Sequence, residues 1–559
     1  MSKSRRTMFV KFTCISLLSA LLVIPGIQAA DNAVKLNLWE PWGGPSNPPT
    51  SFDSQYSDFL AKKIGVRIAL NPCQSDAGQA INLFRAGKNF PDVLFGAWLS
   101  GALQWRDEGN IIALNKYFHN PNYPNLAKIS DSVLDFFKND KGEIVAIPSG
   151  PPVVADLTKP LSTATVDATQ RAYGWFARKD LVKEFGKPLN TEAAVNQFAA
   201  FCKTKKALDG TGVEPFGVAR WATYPAFDYF FLWNFGGRNG FMADGKGKPA
   251  VMENTKPYYE MMKHLNKWFQ TGMISPEVFT DSYDVYSQKL ASARYGMTWC
   301  SSWAILGFNE RMQNPDRAYV PITHWKAPGV RNFMANSDPM ANPTQMGWTM
   351  EVVSSDCKNP DAAMKLIDYL SGDEGYISGK AGAPGEGWNW VDRNKGIYTL
   401  TELGKKISYE GGNKDWITEA GKYGVFMAYQ FSAYDSSSIK VDKQVDDPMY
   451  ALCLNTWKGY VGTLYGHVSA TIDMAPASEA EQTANNEWQP KKAQWLLNLM
   501  QAKNLAAFDT IYKKGLQDNA SALKAMESER EKSWKAFLAK HSLKDDPKWY
   551  GPVVRIVNW

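Results

Sequence analysis

The start of the chain alternates short apolar runs with longer stretches of helical periodicity. Lys35–Trp39 alternates polar and apolar residues like a half-buried strand, and Val66–Leu70 and Phe90–Phe95 are typical of two further strands. Between the first two, Ser54–Ile64 has the pattern of a helix. The resulting order of β, loop, α, β, α and β indicates an α/β layer with a mostly parallel sheet.

The rest of the chain also contains patterns of both helices and strands. Asp76 can cap a helix that Gly87 ends. The apolar positions of this helix share one face: Ala80, Ile81, Leu83 and Phe84. Later predictions are a turn and strand at Lys141–Ile147, a strand at Ala172–Ala177, helices at Lys179–Phe185, Thr191–Cys202, Lys256–Thr271 and Asn359–Leu370, and helical structure from Lys492 onward. The predicted buried stripe of the Asn359 helix is Ala363, Leu366, Ile367 and Leu370.

The N-terminus has the pattern of a secretory signal peptide. A basic segment, Met1–Lys11, precedes the apolar run Cys14–Ile27, and Ala29 and Ala30 offer small residues for cleavage. At about 14 residues, the run is shorter than the ~20 that span a bilayer. No cysteine lies at the cleavage point, so we expect an exported, periplasmic protein without a lipid anchor.

The composition of the chain excludes several classes of protein. The chain has 559 residues, of which 44% are hydrophobic and 21% charged, which excludes a disordered protein. Lysine and arginine number 62 against 56 acidic residues, a net charge of +6. The signal segment carries four of those basic residues, so the mature chain is almost balanced, and we expect no nucleic-acid binding. The five remaining cysteines are odd in number and dispersed, which does not indicate a disulfide framework.

Several short motifs recur in the order of one known family. They are Phe84–Gly87 followed by Phe90–Leu94, Asp140–Pro148, Trp175–Leu181 and Trp268–Pro276. Together they resemble the extracellular solute-binding proteins of ABC sugar importers, whose larger members include periplasmic alginate-binding proteins. The resemblance spans roughly residues 35–372.

The resemblance implies a two-lobed Venus-flytrap fold of the α/β class, with crossing hinge strands and a helical C-terminal region. By analogy, residues 1–30 form the signal peptide, 31–150 plus 298–355 the N-terminal lobe, and 155–297 plus 356–559 the C-terminal lobe. Such proteins close around a ligand by a hinge motion. The implied partners are an oligosaccharide and the permease subunits of an inner-membrane ABC transporter. We expect a monomer without a cofactor.

Large family members often carry a calcium loop with alternating Asp, Asn and Gly. The matching region here, Asp209–Glu214, lacks the further oxygen ligands that such a loop needs. We therefore interpret it as a turn and predict no metal site.

Tryptophan is unusually abundant, with 21 residues beside 24 tyrosines and 28 phenylalanines. Flat rings can stack on the apolar faces of sugars, and ligands of α/β lobes bind in loops after the carboxyl ends of strands. Trp388–Trp390 has the pattern of an exposed aromatic loop, and Trp299 matches a family region with a cleft-facing tryptophan. The candidate ligand-binding residues are Trp39, Glu40, Trp42, Gln74, Trp98, Arg220, Trp221, Trp299, Trp303, Trp388 and Trp390.

Each candidate also has a structural interpretation. Any of these rings can be a core residue, and we assign Trp175, Trp233 and Trp268 to the core because they lie in apolar runs. Arg178 and Arg220 could bind a uronate carboxylate or form an ion pair within the protein.

The alternative function is a secreted glycoside hydrolase or lyase. Glycoside hydrolysis needs two carboxylates across the scissile bond, for which Glu40, Asp92 and Glu386 are candidates near aromatic residues. Histidine is scarce, with five scattered residues, and no nucleophile elbow or zinc motif occurs. A peptide-binding protein of similar size is a third interpretation, which the order of the motifs disfavours. We therefore expect a binding protein rather than an enzyme.

Overall fold

A computed structural model describes most of the chain after the N-terminal segment. The described residues are 32–41, 50–73, 77–97, 99–149, 173–218, 231–237, 240–243, 247–323, 325, 327–328, 350–408, 415–433, 439–442, 452, 456, 472 and 475–540. The predicted signal peptide, Trp42, Gln74, Trp98, Arg220 and Trp221 lie outside them.

The strands, in chain order, are β1 (Val34–Glu40), β2 (Val66–Pro72), β3 (Val93–Ala97), β4 (Ile147–Pro148), β5 (Tyr173–Arg178), β6 (Glu214–Gly217), β7 (Phe241–Ala243), β8 (Pro249–Val251), β9 (Tyr295–Ser301), β10 (Tyr319–Pro321), β11 (Met350–Val353), β12 (Trp388–Asp392), β13 (Ile397–Leu400) and β14 (Lys440–Val441).

The helices are α1 (Gln55–Ile64), α2 (Ala77–Gly87), α3 (Leu99–Asp107), α4 (Asp131–Leu134), α5 (Lys179–Phe185), α6 (Glu192–Cys202), α7 (Lys256–Gln270), α8 (Tyr283–Ala291), α9 (Ser302–Met312), α10 (Pro360–Leu370), α11 (Asp373–Ala381), α12 (Glu402–Ile407), α13 (Trp416–Tyr423), α14 (Glu479–Gln501), α15 (Leu505–Asp518) and α16 (Ala520–Lys540).

Two larger sheets form the framework of the fold. The first has the order β2-β1-β3-β11-β4, and its strands β1, β2 and β3 are parallel, as the alternation predicts. The second has the order β10-β5-β9-β6, with antiparallel pairs except for β6 beside β9. A smaller sheet, β12-β13-β14, packs its own hydrophobic cluster, and β7 pairs with β8. The α/β class and the helical C-terminal region are confirmed.

The predicted helix boundaries agree closely with the structure up to α10, whereas the C-terminal helical region begins at Glu479 and not at the predicted Lys492. Ser54 caps α1, with its hydroxyl accepting a hydrogen bond from the amide of Ser57, and Thr191 caps α6 in the same way. The predicted stripe of α10 is fully buried. The predicted face of α2 is wrong at one position, because Leu83 is 71% exposed while Phe84 packs on the core.

The predicted lobe boundary at 298 stays a prediction, and it falls within a strand of the second sheet. Strand β9 runs through it and pairs antiparallel with β5, which places Trp299 opposite Trp175 in the second sheet. Strand β10 pairs with β5 as well. The chain therefore crosses to the second sheet after β4 and returns to the first between β10 and β11.

The predicted boundary at 356 also stays a prediction, and residues after it contact the part of the chain that surrounds the first sheet. Asp368 of α10 accepts hydrogen bonds from the backbone amides of Asn125 (2.8 Å) and Leu126 (2.9 Å), both in the chain between β3 and β4. Farther along, Phe431 packs its ring on Phe95 of β3 at a centroid distance of 5.6 Å. The segment from α10 to residue 433 therefore packs on the first sheet, because its buried faces and polar partners are there.

The three C-terminal helices pack on α7 and β8 through buried polar anchors. Asn266 of α7 donates to the carbonyl oxygens at the end of α14, those of Leu499, Met500 and Ala502. Lys492 of α14 forms a buried ion pair with Glu253 at 2.7 Å, and Glu527 of α16 accepts the amide of Val251 in β8. These side chains replace hydrogen bonds that water would otherwise supply, and so fix where the helices sit.

We predict that Lys492→Met lowers the free energy of unfolding by about 3–5 kcal/mol, because it leaves the carboxylate of Glu253 buried without its counter-charge. Chemical denaturation followed by circular dichroism measures the change. The matched control is Lys514→Met, whose lysine forms an exposed pair with Asp518 in α15 and should change stability by less than about 0.5 kcal/mol. Equal effects of the two substitutions would contradict the anchoring role of Lys492.

Candidate functional site

The carboxyl ends of β1, β2 and β3 meet at one edge of the first sheet. Glu40 lies opposite Pro72, and Trp39 lies opposite Leu94, so the three strands end close together. Gly96 has φ +86°, and a Cβ atom there would lie 2.4 Å from Pro41, so only glycine lets the turn after β1 approach β3. The predicted Trp42, Gln74 and Trp98 follow these strand ends within two residues but are not among the described residues.

The two described candidates at this edge are buried. Trp39 is 6% exposed, and its ring contacts the edge of Phe84 in α2 at a centroid distance of 5.5 Å. Glu40 is buried at the last position of β1, and its carbonyl oxygen accepts the amide of Cys73. In this conformation Trp39 packs under the edge of the sheet rather than facing the solvent.

The second sheet holds further predicted aromatic residues. Trp299 is 4% exposed in β9, beside Trp175 of β5. Trp303 lies in the first turn of α9, and its side chain is outside the described part of the structure. The predicted core positions Trp175 and Trp268 are confirmed, since both side chains are buried. The ring of Trp268 stacks on that of Phe216 at a centroid distance of 4.1 Å.

The expectation of an exposed aromatic loop at Trp388–Trp390 is wrong. These residues form strand β12, and Trp388 is 1% exposed in a cluster with Tyr398 of β13. Because side chains alternate along a strand, Trp390 lies on the same face of β12 as Trp388. The two rings meet edge to face at a centroid distance of 5.1 Å. Trp390 remains partly exposed at the border of that cluster.

Arg178 is used within the protein. Its side chain is 1% exposed, and its guanidinium forms two hydrogen bonds with the carboxylate of Asp180 at 3.0 and 2.6 Å. It also donates to the carbonyl oxygens of Lys206 and Ala293. The ion-pair interpretation is therefore the one that the structure supports for Arg178.

The three acids considered for hydrolysis have separate structural surroundings. Asp92 precedes β3 at the opposite edge from Glu40 and accepts the amide of Asn37 at 2.7 Å, so it stabilises the pairing of β1 with β3. Glu386 accepts a hydrogen bond from the hydroxyl of Tyr423 at 2.9 Å. Burial raises the pKa of Tyr423 to about 12, and Glu386 adds to that rise. The arrangement gives no support to the hydrolase or lyase alternative.

Asp209 lies in a turn, as predicted. Its Oδ1 accepts hydrogen bonds from the amide and the hydroxyl of Thr211 at 2.9 and 2.6 Å, and these bonds lower the pKa of the carboxyl. Among the described residues, no group of three or more His, Cys, Asp or Glu side chains is placed to hold a metal ion.

Sequence reasoning did not identify two buried polar side chains near the same edge of the first sheet. Glu351 of β11 is fully buried, and Gln430 is nearly so. The signal for Glu351 was available, since it is the one charged residue in the apolar run Met350–Val353. An acid at such a position requires a specific reason for its burial.

The sequence matches the family model for bacterial extracellular solute-binding proteins over residues 46–377, more than half of the chain. The chain belongs to this family. None of the curated proteins matches the sequence. Within the described residues of this solute-binding protein, no helix is long and apolar enough to cross a membrane.

Solved structures of low sequence identity share the two-lobed fold. An alginate-binding protein, AlgQ2, is 18% identical, with a TM-score of 0.67 over 90% of this chain and 98% of that one. A solute-binding protein from Bifidobacterium longum infantis, titled as binding HMO and associated with an ABC transporter, is 16% identical, with a TM-score of 0.63 over 92% and 100% of the two chains. FusA of S. pneumoniae, an ABC-transporter substrate-binding protein solved with kestose, is 16% identical, with a TM-score of 0.64 over 90% and 99%.

We predict that Trp388→Ala lowers the free energy of unfolding by about 3–5 kcal/mol, because it leaves a large cavity among Tyr398, Ile377 and their neighbours. The partly exposed Trp390 is the matched control, and Trp390→Ala should cost clearly less. Thermal and denaturant unfolding of both variants measures the difference. A larger loss for Trp390→Ala would contradict the assignment of Trp388 to the cluster.

Proposed function

We propose that this solute-binding protein captures an oligosaccharide between its two lobes and delivers it to an ABC importer. The observation that carries the proposal is the shared edge of β1, β2 and β3, where three successive strands of a family member end and the predicted polar and aromatic loops follow. Ligands of open α/β sheets bind at such edges. The names of the similar structures, which include alginate and kestose, favour a glycan as the ligand.

In the proposed site, aromatic rings stack on the faces of the sugar, and polar groups hydrogen-bond its hydroxyls. The first lobe would contribute Trp42, Gln74 and Trp98, with Glu40 at the floor, and the second Arg220, Trp221 and Trp303. Trp390 is a further candidate because its ring is still partly exposed. We assign Trp39, Trp299 and Trp388 to the packed layer behind the proposed site, since each is buried.

The proposed lobes follow the sheets. The first contains the described residues up to 149 and from 350 to 442, and the second contains 173–323 and the C-terminal helices. We propose that the lobes close on the ligand and that the permease recognises the closed form. We further propose export to the periplasm with cleavage near Ala29 and Ala30, no lipid anchor, a monomeric state, and no catalytic activity of this subunit.

Binding is tested with the purified mature protein and a panel of neutral and uronate oligosaccharides. We expect at least one glycan to raise the thermal midpoint, to change tryptophan fluorescence and to give a saturable heat signal. No response to any glycan would overturn the sugar assignment. Release of shorter products from a polysaccharide would instead support the enzymatic alternative.

With a glycan that binds, we predict that Trp42→Ala and Trp221→Ala each weaken affinity about tenfold or more, a loss of ~1.4 kcal/mol, because a stacking surface is removed. The control is Trp416→Ala, whose partly exposed ring stacks on Phe426 at 5.9 Å and which should leave affinity unchanged. Calorimetric titration of all three variants checks this. Unchanged affinity in both site variants would contradict the proposed platform.

A further inference from the structure

Glu351 lies where both connections between the lobes join the first sheet. Strand β4 leaves this sheet at Pro148, and β11 enters it at Met350, which pairs with Pro148. Glu351 is the next residue along β11, opposite Ile147 of β4 and Phe95 of β3. A change in the angle between the proposed lobes would therefore act on the backbone directly beside this side chain.

The carboxyl group of Glu351 is fully buried, and its hydrogen bonding is incomplete. Its side chain is 0% exposed, and neither carboxyl oxygen accepts a hydrogen bond of good geometry. The side-chain oxygen of the nearly buried Gln430 is unsatisfied too. The hydroxyl of Ser149, one residue after β4, donates to the carbonyl oxygen of Gln430 at 3.3 Å, so the loop that carries Gln430 is tied to the start of the connection.

No described charge compensates this acid. The neighbouring strand β3 and residues 147–149 contain no ionisable side chain, and the loop at 428–433 contains only the phenol of Tyr429. Burial raises the pKa of Glu351 well above its usual range, and the polar groups that lie near the carboxyl, at Ser149 and Ser432, lower it only in part. A buried carboxyl without a counter-charge is far less costly in its neutral form.

We propose that Glu351 is a proton-binding site at the hinge end of the first sheet, protonated while that end is sealed and ionised when the hinge loosens. Protonation would favour the packed arrangement of β4, β11 and the loop at 428–433, and ionisation would favour an arrangement that admits water. The inference rests on the proposed closure of two lobes, and it makes closure sensitive to pH.

The direction of the effect follows from the two states. An acid whose pKa is higher in the sealed state stabilises that state most at low pH, and the stabilisation declines as pH rises from the pKa of the open or unfolded state. The packed hinge should therefore weaken as the solution becomes more alkaline. Glu351→Gln keeps the shape of the protonated acid but cannot ionise, so this variant should lose the dependence.

The test uses the mature protein, Glu351→Gln, and Glu402→Gln as a control at an exposed glutamate of α12. Infrared difference spectra at neutral pH should show the carbonyl stretch of a protonated carboxylic acid in the wild type and the control, and should lack it in Glu351→Gln. The thermal midpoint should fall between about pH 5 and pH 9 more steeply in the wild type than in Glu351→Gln. The radius of gyration from small-angle scattering should increase with pH only where Glu351 is present.

Absence of the infrared band in the wild type, or equal pH profiles of wild type and Glu351→Gln, would overturn the proton site. A band and a stability effect without any pH-dependent change in the radius of gyration would overturn the coupling to the hinge. None of these measurements needs a sugar. Failure of the glycan-binding panel would therefore count against the proposed function and leave this result unchanged.

Discussion

The architecture depends on strand β11, which completes the first sheet only after the chain has passed through the second. Its backbone bonds to β3 on one side and to β4 on the other, so it joins residues 93–97, 147–148 and 350–353. The first sheet thus contains both ends of the path to the second. Because buried backbone groups in a sheet must be paired, β3 and β4 lack their shared partner until β11 has returned to the first sheet.

Because β11 lies at the centre of this arrangement, a buried polar side chain on it stands out from its apolar surroundings. Most of the framework is apolar, and the main hydrophobic cluster includes buried side chains from both sheets and from the C-terminal helices. Against this background, a sealed carboxyl at Glu351 is an exception that packing does not explain. The buried ions of the C-terminal helices differ from it, because Lys492 and Arg530 each form an ion pair with a carboxylate.

The described tryptophans fall into two groups, those buried in the core and those that keep part of their surface exposed. Trp175, Trp268, Trp388, Trp488 and Trp534 are among the largest fully buried side chains. Trp390 and Trp416 keep part of their surface among the rings that the structure describes. Much of the high tryptophan content is therefore structural, and composition by itself overstates the number of rings available to a ligand.

Local sequence patterns predicted the elements well. The caps at Ser54 and Thr191, the glycine after α5 and the stripe of α10 depend on residues within a few positions of each other, so the chain carries that information directly. The motif order likewise identified the family. These features needed no knowledge of which distant segments meet.

Most of what the local patterns missed concerns distant partners. Whether β9 joins the first or the second sheet, and whether α10 packs on Asn125 or elsewhere, depends on pairings across 100 residues or more of chain, as the bond between Asp368 and Asn125 illustrates. Alternation likewise indicated neither that Trp388 would be covered by Tyr398 nor that Glu351 would be sealed at the hinge. The sequence by itself determined the elements, their caps and the family. The tertiary structure decided which sheet each strand joins, the burial of each described ring and the position of the buried acid, because burial depends on which surfaces meet and not on local periodicity.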